Sequence, residues 1–172
     1  MISGLQQAGR IPAFILALIS AATLATVYAS QFIGGLVPCQ LCLYQRWPWW
    51  LALLLCILAM PTILSTNLRA VLVGLAGLSV LTGAGIAIFH VGVEQHWWPG
   101  LASCSAAGQT PASFEQMQQM LSQPSASCDE PAWTMFGISM AGYNAILSVV
   151  VGIWAVAAAG TILLRNDGGR HA

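Results

Sequence analysis

Charge is what this chain most conspicuously lacks. Five basic and five acidic residues are spread over 172, so 6% of the sequence is charged against 58% hydrophobic, a balance that no water-soluble domain of this size needs to fill its core. The formal net charge is zero and no basic block occurs, which removes the electrostatic footprint of a nucleic-acid binder. No internal repeat is evident. Charge is wholly missing from Ile11 to Gln45, Trp47 to Leu68, Ala70 to Val93 and Pro131 to Leu164. Each stretch exceeds the roughly 20 residues that carry a helix across a bilayer.

The fold class expected is therefore all-α: one integral membrane four-helix bundle over residues 1–172, with spans near 12–32, 44–64, 70–91 and 143–164. Two outward-facing, cysteine-bearing loops fall near 33–43 and 92–142. Short connections after the first and second spans favour antiparallel neighbours. A secretory-signal reading of the first stretch is disfavoured, because its apolar region is longer than the roughly 7–15 residues of a signal and a second span follows closely. Ala17, Ala21, Ala25 and Ala29 recur every four residues, as small residues do where membrane helices approach. Ala70 with Gly74, and Ser79 with Gly83, repeat that spacing in the third span.

Basic residues are absent from the segment Glu94 to Glu130, which holds Glu94, Glu115, Asp129 and Glu130, whereas Arg10, Arg69, Arg165 and Arg170 share the other side of a four-span chain. The positive-inside rule then puts both termini in the cytoplasm, with the expected location a bacterial inner membrane. Trp47, Trp49, Trp50, Trp97, Trp98, Trp133 and Tyr143 map to the outer boundary, where amphipathic rings settle at headgroup level. Thr110 and Pro111 open an expected short amphipathic helix carrying Phe114, Met117, Met120 and Leu121 on one face, suited to lying on the membrane surface.

What the chain does have is cysteine in pairs. Cys39 with Cys42, and Cys104 with Cys128, lie in the outward breaks, where an oxidising compartment lets disulfides persist. Cys39-Gln40-Leu41-Cys42 opens a helix whose exposed N–H groups and dipole favour a thiolate. Arg46, one turn beyond Cys42, adds a fixed positive charge, so an anion on Cys42 is the expectation. Closing the four-residue ring restrains the unfolded chain by about 2 kcal/mol, against about 3.5 for the loop between Cys104 and Cys128, so the small ring is a poor staple and a better exchange site. Four thiolates also suit zinc, but the outward location and the 23 residues between Cys104 and Cys128 count against it, and no metal is expected. Leu43 rather than His follows Cys42, excluding c-type haem attachment.

Arg46 stands on the wrong side for the positive-inside pattern and needs a partner. It either snorkels to lipid phosphate or holds the polar end of a ligand and stabilises negative charge there during reduction. His90 and Glu94, a turn apart, are candidates for proton transfer; His96 reads as interfacial, and Cys56, deep in the second span, as an inert filler.

Pro38-Cys39-Gln40-Leu41-Cys42 followed by Tyr44-Gln45-Arg46, the outer Cys104 and Cys128, and Phe136-Gly137-Ile138-Ser139-Met140 before the last span resemble the DsbB family of disulfide bond formation proteins. Ala141 and Tyr143 depart from it, standing where the family usually has Pro and Trp. The resemblance implies a protein-thiol oxidase that reoxidises a soluble periplasmic thioredoxin-like dithiol oxidase of the DsbA type and passes electrons to a quinone, ubiquinone or menaquinone, of the membrane pool. It implies catalytic roles for Cys104 in the mixed disulfide with the partner, for Cys128 as relay to Cys39, and for Cys42 at the quinone. Arg46, and with it His90, would bind the quinone. A vitamin-K-epoxide-reductase-like enzyme is the nearest alternative, although its CxxC belongs near the last helix. A membrane scaffold with merely structural disulfides is the non-enzymatic one.

Overall fold

A computed structural model describes residues 2–101, 113–115, 118 and 127–168, with only the backbone of residues 2–8 and 167. The protein is an all-α bundle in which four helical stretches are long and apolar enough to cross a membrane: Gly9–Phe32, Gln40–Leu58, Thr66–Glu94 and Met140–Asn166. These lie in helices α1 (Ile2–Phe32), α2 (Gln40–Tyr44) with α3 (Arg46–Leu58), α4 (Thr66–Glu94) and α5 (Met140–Gly168). A two-stranded antiparallel hairpin, β1 (Thr134–Met135) with β2 (Ile138–Ser139), precedes α5. Its turn needs positive φ at both central residues, 52° at Phe136 and 77° at Gly137, the geometry of a type I′ turn.

The second span differs from the 44–64 that hydropathy suggests. It starts at Gln40, breaks at Gln45 and ends at Leu58. Pro48 explains the break: it has no N–H for the carbonyl of Tyr44, and its ring crowds that carbonyl. Pro61, beyond the helix, stands in the loop before Ser65 caps α4 by accepting the Leu68 N–H at 3.3 Å.

The core is built from Trp49, Ala52 and Cys56 of α3, Val73, Ala76 and Val80 of α4, Val151, Ala155 and Ala159 of α5, and Ala13, Leu16 and Leu24 of α1. Cys56 is thus the filler its position suggests. Helices α4 and α5 meet where Gly77 and Gly152 remove side chains: a Cβ on Gly77 would stand 3.1 Å from the Gly152 carbonyl, and one on Gly152 would stand 3.1 Å from the Gly77 carbonyl. Gly74 rests on Ala159, Gly83 on Pro48, and Ser79 Oγ donates to the Pro48 carbonyl at 3.0 Å. The small-residue spacing of the third span therefore marks real approaches. That of α1 does not. Its packed face is Ala13, Leu16, Ser20 and Leu24, while Ala21, Ala25 and Ala29 are exposed, because lipid accepts alanine as readily as a neighbouring helix does and the bulkier leucines fill the groove.

Arg69 also departs from a plain loop cation. It is fully buried, and its guanidinium donates to the carbonyls of Ala59 and Pro61, both at 2.9 Å, and of Leu64 at 3.4 Å. These carbonyls follow the end of α3 and have no helical partner, so Arg69 closes that helix and its loop. Asn166 donates to Asn67 at the same end of the bundle. Replacing Arg69 by Leu, which leaves those carbonyls bare, is expected to cost roughly 2 kcal/mol, and Arg69→Lys to recover only part of it because one ammonium cannot reproduce the fork. Thermal unfolding in detergent micelles checks this; an unchanged midpoint for Arg69→Leu contradicts it.

Candidate functional site

The chemistry-bearing residues gather where α2 begins. Cys39 occupies the N-cap with φ −75° and ψ 170°, and its sulfur accepts the Cys42 N–H at 3.2 Å, satisfying one of the orphan donors of the helix start. The same geometry folds Cys42 back over it, with the two Sγ atoms 2.7 Å apart and both thiols free. Two thiolates on one tetrahedral zinc, with bonds of about 2.3 Å, would stand about 3.7 Å apart. As they stand the two sulfurs are closer than that, although the ligand atoms of Cys39, Cys42 and His90 all lie within 4.8 Å of one another.

His90 comes from α4, buried, with Nε2 3.5 Å from the Cys39 sulfur. Glu94, one turn on, has Oε1 3.8 Å from the same nitrogen and accepts a hydrogen bond from Ser139 at the end of β2. Ser139 Oγ in turn accepts the Gly142 N–H at 3.1 Å, so the hairpin both starts α5 and holds Glu94 against His90. Cys39 thus collects the donors of the site. Its thiol is pushed down from 9.0 to about 4, first by the close approach of the Cys42 side chain, with His90 assisting and burial opposing. Negative charge on Cys39 is thus supported from two sides, by the Cys42 N–H and by His90, while Arg46, on which the expectation of an anion at Cys42 rests, stands at the cleft.

Cys42 instead lines a cleft of about 90 Å³ together with Arg46, Gln45, His90 and Asn144, whose other walls include Leu24, Val27 and Leu36. Its lining, mostly apolar with a few convergent polar groups, is of the kind found in small-molecule sites. Arg46 is fixed at this cleft from α1: one guanidinium nitrogen donates to Gln31 Oε1 at 2.7 Å, and the group stacks over the Tyr28 ring 4.9 Å from its centroid. Neither partner neutralises it.

Behind the cleft a hydrogen-bonded row crosses the bundle. Trp49 Nε1 donates to Asn144 Oδ1 at 3.0 Å, Asn144 Nδ2 to Gln45 Oε1 at 2.6 Å, and Gln45 Nε2 lies 2.8 Å from His90 Nδ1. Trp49 is 2% exposed and so is not part of the interfacial belt to which its neighbours Trp47 and Trp50 belong. Gln31, Gln45 and Asn144 escaped the sequence reading. Uncharged amides inside otherwise apolar spans were the available signal, since such groups need partners there.

Of the residues singled out from sequence, Cys39, Cys42, Arg46 and His90 are brought together, with Glu94 behind them. Cys128 is disulfide-bonded and fully buried in one apolar cluster with Cys39, Leu41 and Val93. Cys104 lies outside the described residues, as does most of the amphipathic segment after Thr110. His96 is exposed just beyond α4 with φ 58°.

The family model described as disulfide bond formation protein DsbB matches residues 9–158. The chain is similar to an uncharacterized protein of Rickettsia prowazekii (strain Madrid E), 31% identical over 138 residues that cover 78% of each chain. It is similar to disulfide bond formation protein B of Haemophilus influenzae (strain 86-028NP), 28% identical over 136 residues covering 78% of this chain and 76% of that one. Disulfide bond formation protein B of Pasteurella multocida (strain Pm70) is 31% identical over 121 residues, covering 66% and 64%. No solved structure matches.

The depressed Cys39 thiol is directly testable in the reduced protein. Ultraviolet thiolate absorbance should hold from pH 8 down to about pH 5 and disappear around about pH 4, since protonation removes the anion only below the folded value. Cys42→Ala, which deletes the principal donor, should move that midpoint upward by at least one unit. Absorbance that vanishes between pH 8 and 9 in the unaltered protein contradicts the assignment.

Proposed function

The chain belongs to the DsbB family of disulfide bond formation proteins, membrane oxidoreductases, and on that footing we propose that it oxidises a soluble periplasmic dithiol oxidase of the DsbA type and delivers the electrons to a quinone, ubiquinone or menaquinone. The observation that carries the proposal is a free thiol pair at the lip of an apolar cleft that also holds a guanidinium with no ion-pair partner among the described residues. A scaffold with structural disulfides has no use for that combination.

When bound, the quinone supplies the sink: it takes two electrons and two protons and leaves as quinol. The chain's own residues do the rest. Cys104 and Cys128 form the outer pair, and the partner's thiolate attacks Cys104, so that the partner gains its disulfide and the outer pair is reduced. Cys128, packed in one cluster with Cys39, then attacks the Cys39 sulfur of the inner disulfide and Cys42 departs as a thiolate into the cleft. Re-formation of both disulfides releases the two electrons and two protons, and the cycle balances. Each exchange needs an attacking thiolate and an accessible sulfur.

Arg46 binds the polar end of the acceptor and stabilises the negative charge that develops there. Gln31 and Tyr28 hold its guanidinium in place from α1. His90 lines the cleft beside Cys42 and faces Cys39, which suits it to stabilising negative charge on that sulfur. A second apolar groove between α1 and α5 shares Thr23, Val27, Met140 and Asn144 with the cleft and provides a path for a lipid-soluble tail. A bacterial inner membrane with both termini cytoplasmic would put the cysteine pairs on the oxidising side.

Replacing Cys42 by Ser should abolish quinone reduction by the reduced partner, and unchanged turnover in that variant rules the proposal out. Arg46→Ala should raise the KM for quinone about tenfold or more, the worth of a hydrogen bond to a charged group, with kcat for saturating quinone less affected. A KM that does not move returns Arg46 to anchoring at lipid phosphate.

A further inference from the structure

The direction of every hydrogen bond in the row behind the cleft can be worked out from its far end. An indole nitrogen only donates, so the atom that Trp49 Nε1 meets at 3.0 Å is the carbonyl oxygen of Asn144. Ser148 Oγ, 3.3 Å from that same oxygen, donates to it as well. The Asn144 amide cannot then be reversed, and its nitrogen donates to Gln45 Oε1 at 2.6 Å. With its oxygen occupied, Gln45 turns its NH2 toward His90 Nδ1 at 2.8 Å. An amide nitrogen has no lone pair to offer, so Nδ1 accepts, and the ring hydrogen of neutral His90 sits on Nε2. That nitrogen faces the Cys39 sulfur at 3.5 Å and Glu94 Oε1 at 3.8 Å.

We infer that Gln45 and Asn144 are positioning residues that hold His90 in its Nε2–H tautomer, so that the ring presents a hydrogen to the Cys39 sulfur. The alternative tautomer would set two donors against each other at Nδ1 and a lone pair against an anionic sulfur at Nε2. The consequence for turnover rests on the thiol oxidase reading: the donor from His90 keeps the charge of the reduced pair on Cys39, and leaves Cys42, the sulfur in the cleft, as the one carrying hydrogen until an exchange step releases it. The groups facing the imidazole are Cys39, Gln45 and Glu94, with the Cys42 sulfur within 4.8 Å of a ring nitrogen and Ser139 behind Glu94.

The break at Pro48 is what makes the arrangement possible. Gln45 sits at the interruption between α2 and α3, buried among α4 and α5, where its amide reaches His90 on one side and Asn144 on the other.

The chain has three histidines, so ring-nitrogen NMR of the full-length protein, labelled at histidine and reduced in micelles, resolves His90 by comparison with His90→Gln. The shifts should report hydrogen on Nε2 and a bare Nδ1. Gln45→Glu puts an acceptor where the donor stood, and Asn144→Asp, two bonds away, removes the donor to Gln45 and lets that amide turn over. Both near-isosteric changes should move the hydrogen to Nδ1, a shift that a merely space-filling role would not produce. Hydrogen on Nδ1 in the unaltered protein, or on Nε2 in both variants, overturns the inference. The two readings fail separately. A Nδ1–H ring in a protein that still couples partner oxidation to quinone reduction removes only the positioning role, whereas an Nε2–H ring in a protein that reduces no quinone removes only the function.

Discussion

A polar side chain inside a bilayer finds no water, and a donor or acceptor placed there is stabilised when another part of the protein answers it. That constraint organises the end of the bundle where α2 begins. Cys39, His90, Gln45, Asn144 and Trp49 come from the start of α2, from α4, from the break between α2 and α3, from α5 and from α3, and each satisfies the next. The row is at once the packing that joins four helical segments and the electrostatic setting of the thiol pair. Arg46 obeys the same rule at the edge of the cleft, where Gln31 and Tyr28 of α1 supply one hydrogen bond and one aromatic face. Arg69 obeys it at the other end by collecting three carbonyls.

Much of the fold was legible because membrane spans are written in composition. Four charge-free stretches gave four crossing helices, and the CxxC fell at a helix start as the sequence indicated. The limits of the second span were not legible from hydropathy alone, since the residues from Ala59 to Leu64 are apolar enough to extend a helix yet follow a chain end that Arg69 and Pro61 fix. The buried face of α1 was misread from its alanines, as spacing gives the faces of a helix but lipid and protein do not discriminate between small residues. The hairpin before α5 was not foreseen either; a four-residue sheet depends on two positive φ values and little side-chain pattern.

Of the site, the cysteines and Arg46 were visible because reactive thiols and a cation are rare in such a sequence. The amides were not, because Gln and Asn carry no charge and their roles appear only when helices far apart in the chain meet: Gln45 and Asn144 are 99 residues apart. The surroundings of the two sulfurs were legible only in part for a related reason. Arg46 is near Cys42 in sequence, but the donors that matter for Cys39 come from the turn of its own helix and from His90, 51 residues away. Local spacing found the groups; long-range contacts decide what each sulfur faces.

The central claim is that electrons leave a partner's dithiol and arrive at a lipid-soluble acceptor through this chain's two cysteine pairs. A single-turnover mixing of the purified, quinone-loaded protein with one equivalent of reduced thioredoxin-like partner tests it most directly, by counting products. The account requires one quinol for each partner disulfide formed. Partner disulfide appearing with no quinol, or quinol appearing while the partner stays reduced, would contradict it.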